Sequence, residues 1–282
     1  MTATRLKTPR PQAVAPLLVV KDIVKSFETP DGITTAVDHI SFDVAPGEFL
    51  AVIGPSGCGK STLFNIIGGL LDGYDGRVAV AGETVKGPHA SIGMVFQEES
   101  TFPWRTVTEN VAFPLEIAGM AKAQRIERAR HFINLVGLTG FEKRYPAELS
   151  GGMRQRVAIA RTLASEPKIL LMDEPFGALD EQTRLLLGDK VLQIQHQLKQ
   201  TCLLITHNIT EAVQLADRVL VMTYRPGRLK RMVAIELPRP RSSEIVSSDA
   251  FGRYVAQIWG DLREEASRGM QDDEQHLAEQ KA

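Results

Sequence analysis

Short apolar runs alternate with stretches of helical periodicity along most of this chain, which predicts an α/β domain from about residue 17 onward. The runs "EFLAVIG" (residues 48–54), "KILLMDEP" (168–175) and "TCLLITHN" (201–208) are almost continuously apolar. That is the pattern of strands buried on both faces of a parallel sheet. Between the last two, "DEQTRLLLGDKVLQIQHQL" predicts a helix with Asp180 at its N-cap. "KSTLFNIIGGL" predicts another, closed by Gly68 and Gly69.

Residues 98–165 follow a different rhythm, mostly helical with no clear strand. Ile126, Ala129, Ile133 and Val136 recur at helical spacing, and Gly137 is placed to end that helix. A helical subdomain inserted into the sheet domain is therefore expected. After Gly227 come one more strand-like piece, "RMVAIELP", a Pro/Arg/Ser-rich linker and a helix around residues 251–262. The layout is thus a disordered tail over residues 1–16, a main domain over 17–225, an extension over 226–266 and a loose polar tail over 267–282.

Composition narrows the class. At 282 residues, 43% hydrophobic, with net charge −1, the chain has material for a sizeable core and no global attraction to nucleic acid or anionic lipid. Its two cysteines, Cys58 and Cys202, lie in unrelated contexts and suggest no disulfide framework, so a reducing cytoplasm is the default. The apolar run near the start is broken by Pro16 and ended by Lys21 and Asp22, which suits a first strand better than a signal peptide. No run of about 18 apolar residues occurs, so any membrane role must pass through a partner.

The chemistry concentrates in a few stretches. "GPSGCGKS" places Gly54, Pro55, Ser56, Gly57, Cys58, Gly59, Lys60 and Ser61 in the pattern G-x-x-x-x-G-K-[ST], followed by Thr62, with a strand before and a helix after. Backbone N–H groups of such a loop wrap phosphate oxygens, the lysine neutralises the outer phosphates, and the serine hydroxyl suits Mg²⁺. Asp173 and Glu174 close the "ILLMDEP" strand. Asp173 suits Mg²⁺, while Glu174, one residue on, points elsewhere to orient or deprotonate a water; the plain alternative is that one of them caps the next turn.

Three single residues carry weaker signals. Gln97, in "VFQEES", is an ordinary solvated loop residue or a hinge that reaches the metal ion or water. His207 is a structural histidine at a strand end or a hydrogen-bond donor to a terminal phosphate. Phe27 is a hairpin residue or a stacking surface for a base. A second anion site is written at "ELSGGMRQRVAIARTL", where Ser150, Gly151 and Gly152 open a helix whose N–H groups and dipole point outward. One phosphate loop leaves the far side of a terminal phosphate in water. A head-to-tail dimer, with each loop facing the partner's Ser-Gly-Gly, covers it.

Together these motifs resemble the ATP-binding cassette superfamily over residues 17–224. The resemblance assigns residues 54–61 to the Walker A loop, Gln97 to the Q-loop, residues 149–153 to the signature and 169–174 to Walker B. It assigns residues 178–180 to the D-loop, His207 to the switch histidine and Phe27 to the adenine-stacking position. Met153 departs from the usual signature Gln, and Asn208 stands where Asp is common after the switch histidine. The resemblance implies a P-loop domain with an inserted helical subdomain and an N-terminal antiparallel β region, acting as an ATPase with ATP and Mg²⁺. "FQEESTFPWRTVTENVAFPLE", "LSGGMRQR", "DEPFGALD" and "YRPGRLKRMVAIELPRPR" look like ATPases of nitrate/sulfonate/taurine-type importers. That likeness implies a homodimer, or a heterodimer with a related ATPase, on the cytoplasmic face of the cell membrane. It would be held there by a transmembrane permease fed by an extracytoplasmic solute-binding protein, with no nucleic acid involved. The competing classes are another importer or exporter ATPase, a soluble cassette protein of DNA repair or translation, and a P-loop kinase or GTPase. No coiled-coil insertion, zinc module, tandem cassette or Asn-Lys-x-Asp stretch speaks for the last two.

Overall fold

The computed structural model describes residues 15–279, without residues 31, 98 and 99, and side chains as far as residue 269. Of the tail expected over residues 1–16, residues 1–14 lie outside the described residues. Strands β1 (Leu18–Thr29) and β2 (Gly32–Val44) pair antiparallel and are extended by β4 (Asp75–Val80) and β5 (Glu83–Thr84) into a four-stranded sheet. Between them in sequence lie β3 (Phe49–Ile53) and helix α1 (Lys60–Ile67). A second sheet of six strands runs in the order β10-β9-β3-β8-β7-β6. It is built from β3, β6 (Ile92–Val95), β7 (Ile169–Asp173), β8 (Thr201–Ile205), β9 (Arg218–Met222) and β10 (Leu229–Ala234). All its pairings are parallel except β9 with β10.

The apolar runs are central strands because both of their faces are covered. In β3, Phe49, Ala51 and Ile53 enter one core while Leu50 and Val52 enter the other, as the two-residue period of a strand requires. β7 divides the same way, Leu170 and Met172 against Ile169 and Leu171. One core lies between the two sheets and includes α1; the other joins the six-stranded sheet to the remaining helices. Each Leu or Ile withdrawn fully from water there stabilises the fold by roughly 1.5–3 kcal/mol.

Helices α2 (Val107–Ile117), α3 (Lys122–Leu135) and α4 (Gly151–Ala164) fall between the adjacent strands β6 and β7, and residues 98–165 contain no strand among those described. Thr106 and Glu109 close the start of α2 with a reciprocal capping box. Gly137, at φ +70°, takes the left-handed turn that stops the chain after α3. Asp180 caps α5 (Glu181–Leu198), accepting from the Thr183 N–H at 2.9 Å. Asn208 caps α6 (Ile209–Leu215) through the Glu211 N–H at 3.1 Å, the service an aspartate would give at that position.

One expectation is corrected. Helix α7 spans Asp249–Glu279, so the stretch expected to be loose after residue 266 is helical to Glu279. Phe251 and Ile258 bury the first turns. From Asp261 on, charged contacts carry the packing. Lys230 of β10 donates to Glu265 at 2.7 Å, Arg231 pairs with Asp261 at 3.0 Å, and the Tyr224 N–H donates to Glu265 at 3.0 Å. A hydrophobic period cannot register a helix face that docks through salt bridges.

Candidate functional site

The chemistry gathers where the parallel strands end. Val52 of β3 and Asp173 of β7 both stand in register with Ile205 of β8, and Val95 of β6 with Met172. The segments that follow, residues 54–61, Glu174, residues 206–207 and Gln97, therefore leave one edge of the sheet side by side. That edge is where open α/β sheets bind ligands.

The loop between β3 and α1 is shaped by its glycines. Gly59, the N-cap of α1, has φ +91°, and a Cβ there would stand 2.4 Å from the Ala36 carbonyl oxygen. Only glycine accepts both the conformation and the close approach. Ser56, Gly57 and Ser61 are exposed, Pro55, Gly59 and Thr62 half-buried, and Gly54 buried under the turn. Lys60 is only 7% exposed, and its Nζ donates to the Gly54 and Pro55 carbonyls at 2.9 and 2.8 Å. The cation is thus held inside the loop, as phosphate neutralisation needs. Cys58 turns its thiol into the core, and burial pushes its pKa up, so only its backbone serves the loop surface.

Beside the loop, Asp173 ends β7 with one buried carboxylate oxygen, Oδ1, that meets no hydrogen-bond partner among the described residues. Burial raises its pKa, the neighbouring Glu174 charge adds to this, and the Ser61 hydroxyl and Lys60 pull it down. An orphaned carboxylate oxygen next to a serine hydroxyl fits a hard cation. No group of three or more His, Cys, Asp or Glu among the described residues makes a closed metal cage. Mg²⁺ needs none, since it takes one or two protein oxygens with phosphate and water. Asp173 and Ser61 would hold it, and it would neutralise charge on the outer phosphates.

Glu174 sits at φ +43°, a strained position for a non-glycine residue, fixed by its N–H donating to the Ile205 carbonyl at 2.8 Å. Its Oε2 accepts from Gln97 Nε2 at 3.3 Å and lies 3.0 Å from His207 Nδ1. Three residues separated by 77 and 33 positions in sequence thus meet at one carboxylate oxygen. Gln97, expected at the metal, bonds Glu174 here.

Phe27 is 38% exposed on the β1–β2 ribbon, opposite Thr34, with Lys25 Nζ 5.1 Å from its ring centre. The same ribbon meets the loop two residues on from Thr34, at Ala36. An exposed ring beside a phosphate loop suits base stacking. Ser150, Gly151 and Gly152 do open a helix: Ser150 caps α4, accepting from the Met153 N–H at 3.4 Å. They are not gathered with the rest. Ser150 and Gly152 border a separate cavity of about 520 Å³ with Thr183, Leu186 and Lys190 of α5, and no hydrogen bond among the described residues joins the three to residues 54–61.

Two residues at the site escaped the sequence reading. Arg225 donates through Nε to the Gly57 carbonyl at 3.1 Å, bracing the loop from behind. Glu211, buried within α6, bonds Thr206 beside His207. The Pro-Gly pair after Arg225 is a turn signal, and Glu211 reads as an ordinary acid in the first turn of a helix. Neither signal names the distant partner.

A family model described as ABC transporter matches residues 37–177. An uncharacterized ABC transporter ATP-binding protein of Methanocaldococcus jannaschii is 50% identical over 253 residues, 90% of this chain and 94% of that one. The nitrate import ATP-binding protein NrtD of Synechocystis sp. is 43% identical over 252 residues, covering 87% and 95%. The aliphatic sulfonates import ATP-binding protein SsuB of Bacillus licheniformis is 47% identical over 218 residues, covering 77% and 84%. Among solved structures, a dimeric bacterial ABC transporter cassette superposes with TM-score 0.69 at 31% identity, covering 78% of this chain and 100% of that one. A dimeric post-hydrolysis cassette bound to ADP and Pi superposes with TM-score 0.68 at 32% identity and the same coverage. The matched family model and these relatives place the chain in the ABC transporter family, as an ATP-binding subunit that hydrolyses ATP.

Proposed function

We propose that this chain is the energising subunit of an importer for small anions of the nitrate/sulfonate/taurine class, working on the cytoplasmic face of the membrane through a partner permease. The observation that carries the hydrolytic part is the meeting of Gln97, Glu174 and His207 at one oxygen beside Lys60 and Asp173. Glu174 takes a proton from the attacking water, His207 donates to the terminal phosphate, and Lys60 offsets the phosphate charge. Ser150, Gly151 and Gly152 of a partner subunit cover the far side of that phosphate. The importer class rests on the nitrate and sulfonate import ATP-binding proteins among the relatives. No helix among the described residues is long and apolar enough to cross a membrane, so contact with the bilayer is assigned to the permease. A solute-binding protein reaches this subunit only through that permease.

The test is reconstitution with its permease and binding protein in vesicles, measuring ATP hydrolysis and uptake with nitrate, an alkyl sulfonate and taurine. One of these anions should stimulate both, and Lys60→Ala should abolish both. Stimulation by none of the three removes the importer assignment; turnover that survives Lys60→Ala removes the phosphate-loop assignment.

A further inference from the structure

Two oppositely charged residues beside the site, Arg184 of α5, half-buried, and Glu211 of α6, buried, each hold a buried atom with no partner among the described residues: Nε of Arg184 and Oε1 of Glu211. Buried polar atoms are seldom left so, and each requires a physical account. Both residues are otherwise tethered to loops that serve the reaction. Arg184 donates through Nη2 to the Leu179 carbonyl at 2.9 Å and through Nη1 to Glu181 at 3.2 Å, which fixes the turn before α5. Glu211, 6% exposed, accepts from the Thr206 hydroxyl, and that hydroxyl accepts from the Asn208 N–H at 3.0 Å. Glu211 therefore brackets His207 from both sides.

The register of the two helices brings these residues face to face. One turn further along, a Cβ on Gly188 of α5 would lie 3.3 Å from the Gln214 side chain and 3.4 Å from Leu215 of α6. Gln214 also donates to Asp189 at 2.9 Å and to the Leu185 carbonyl at 3.5 Å. Stepping back one turn on each helix gives Arg184 and Glu211. The charges that act on Glu211 are Arg184 and Glu181 from α5 and Glu174 from the end of β7, and only Arg184 among them favours its ionised form.

We propose that Arg184 and Glu211 are positioning residues that close into a buried ion pair when ATP is enclosed, pulling the residues 178–180 turn toward the residues 206–208 turn and setting His207 for hydrolysis. The pair satisfies both orphaned atoms at once. Because the turn before α5 is the segment a partner subunit would press, dimer closure is thereby relayed to His207. The proposal rests on the reading of His207 as the residue that meets the terminal phosphate.

A double-mutant cycle on steady-state hydrolysis by the full chain decides it, using Arg184→Met, Glu211→Gln and the two combined. Each single variant should lower kcat about tenfold with KM for Mg-ATP nearly unchanged, and the combined variant should be no slower than the slower single. Arg184→Lys, which keeps the charge, should recover most of the turnover. Losses that multiply in the combined variant, a rise in KM without a fall in kcat, or no recovery in Arg184→Lys would each overturn the pair. If Glu211→Gln does not fold, the comparison of Arg184→Met with Arg184→Lys decides alone, and equal turnover in the two rejects the proposal. His207→Ala is measured alongside. Full turnover there overturns the reading of His207, while the cycle still reports whether Arg184 and Glu211 are coupled.

Discussion

Glu174 and Glu211 show how much one side chain's surroundings decide. Both are glutamates beside His207, yet Glu174 shares its oxygen with Gln97 and His207 while Glu211 is buried with one oxygen that has no partner among the described residues. Burial pushes the Glu211 pKa from 4.5 to about 7. The folded chain thus binds this proton more tightly than the unfolded one. Its stability is fully present below the unfolded value of 4.5 and falls as pH rises toward the folded value of about 7. Glu211→Gln removes that dependence. Thermal unfolding of both proteins at pH 5 and pH 8 should show the variant gaining on wild type at the higher pH, by at most about 3 kcal/mol. A difference between the two that does not change with pH would contradict a buried, proton-holding Glu211.

At the scale of elements, the helical segment between β6 and β7 presents the most exposed large aromatic near the site. Trp104 is 71% exposed, although its neighbour Phe102 packs on Phe113 at 4.7 Å and lies under Arg161 at 5.1 Å. Arg161 reaches from α4 to the Ser100 carbonyl at 2.6 Å, so the segment after Gln97 is anchored from below while Trp104 stays open. Trp104 borders a cavity of about 360 Å³ with Arg105 and with Glu116, Lys122 and Arg125 of the α2–α3 pair. Such a hollow suits a helix end from a permease, and buried aromatics anchor interfaces strongly. Trp104→Ala should keep hydrolysis by the isolated chain and weaken its recovery with the permease at least about tenfold, a loss of roughly 1.4 kcal/mol. Undiminished assembly after replacing Phe102, Pro103 and Trp104 together would exclude this docking surface.

On the reading proposed above, the chain carries one half of each nucleotide site, with residues 54–61 and the Ser150 helix end completed by a second copy or a related ATPase. Glu174→Gln retains size and hydrogen bonding but cannot accept a proton, so it should bind ATP and hydrolyse it very slowly. Light scattering after size-exclusion chromatography should find it monomeric without nucleotide and dimeric with Mg-ATP at high protein concentration. Adding Ser150→Arg should return it to monomer while ATP still binds through Lys60. A dimer that survives Ser150→Arg, or a Glu174→Gln chain that never pairs alone or on its permease, would refute the sandwich.

Features set by neighbours along the chain could be read directly from the residues. The phosphate loop and its flanking strand and helix were legible because glycine, lysine and serine act there at fixed spacing. So were the caps at Ser150 and Asp180, the stop at Gly137 and the buried strands, all set by local hydrogen bonding or two-residue burial. Tertiary structure decided what depends on distant partners. Gln97, Glu174 and His207 meet because β6, β7 and β8 are parallel neighbours that end at one edge. The Arg225 brace on Gly57 exists because β9 lies beside β3. Asp261 and Glu265 of helix α7 find Arg231 and Lys230 because β10 lies against that helix. Electrostatic contacts of this kind leave no period in a sequence, since either partner alone looks like an ordinary surface charge.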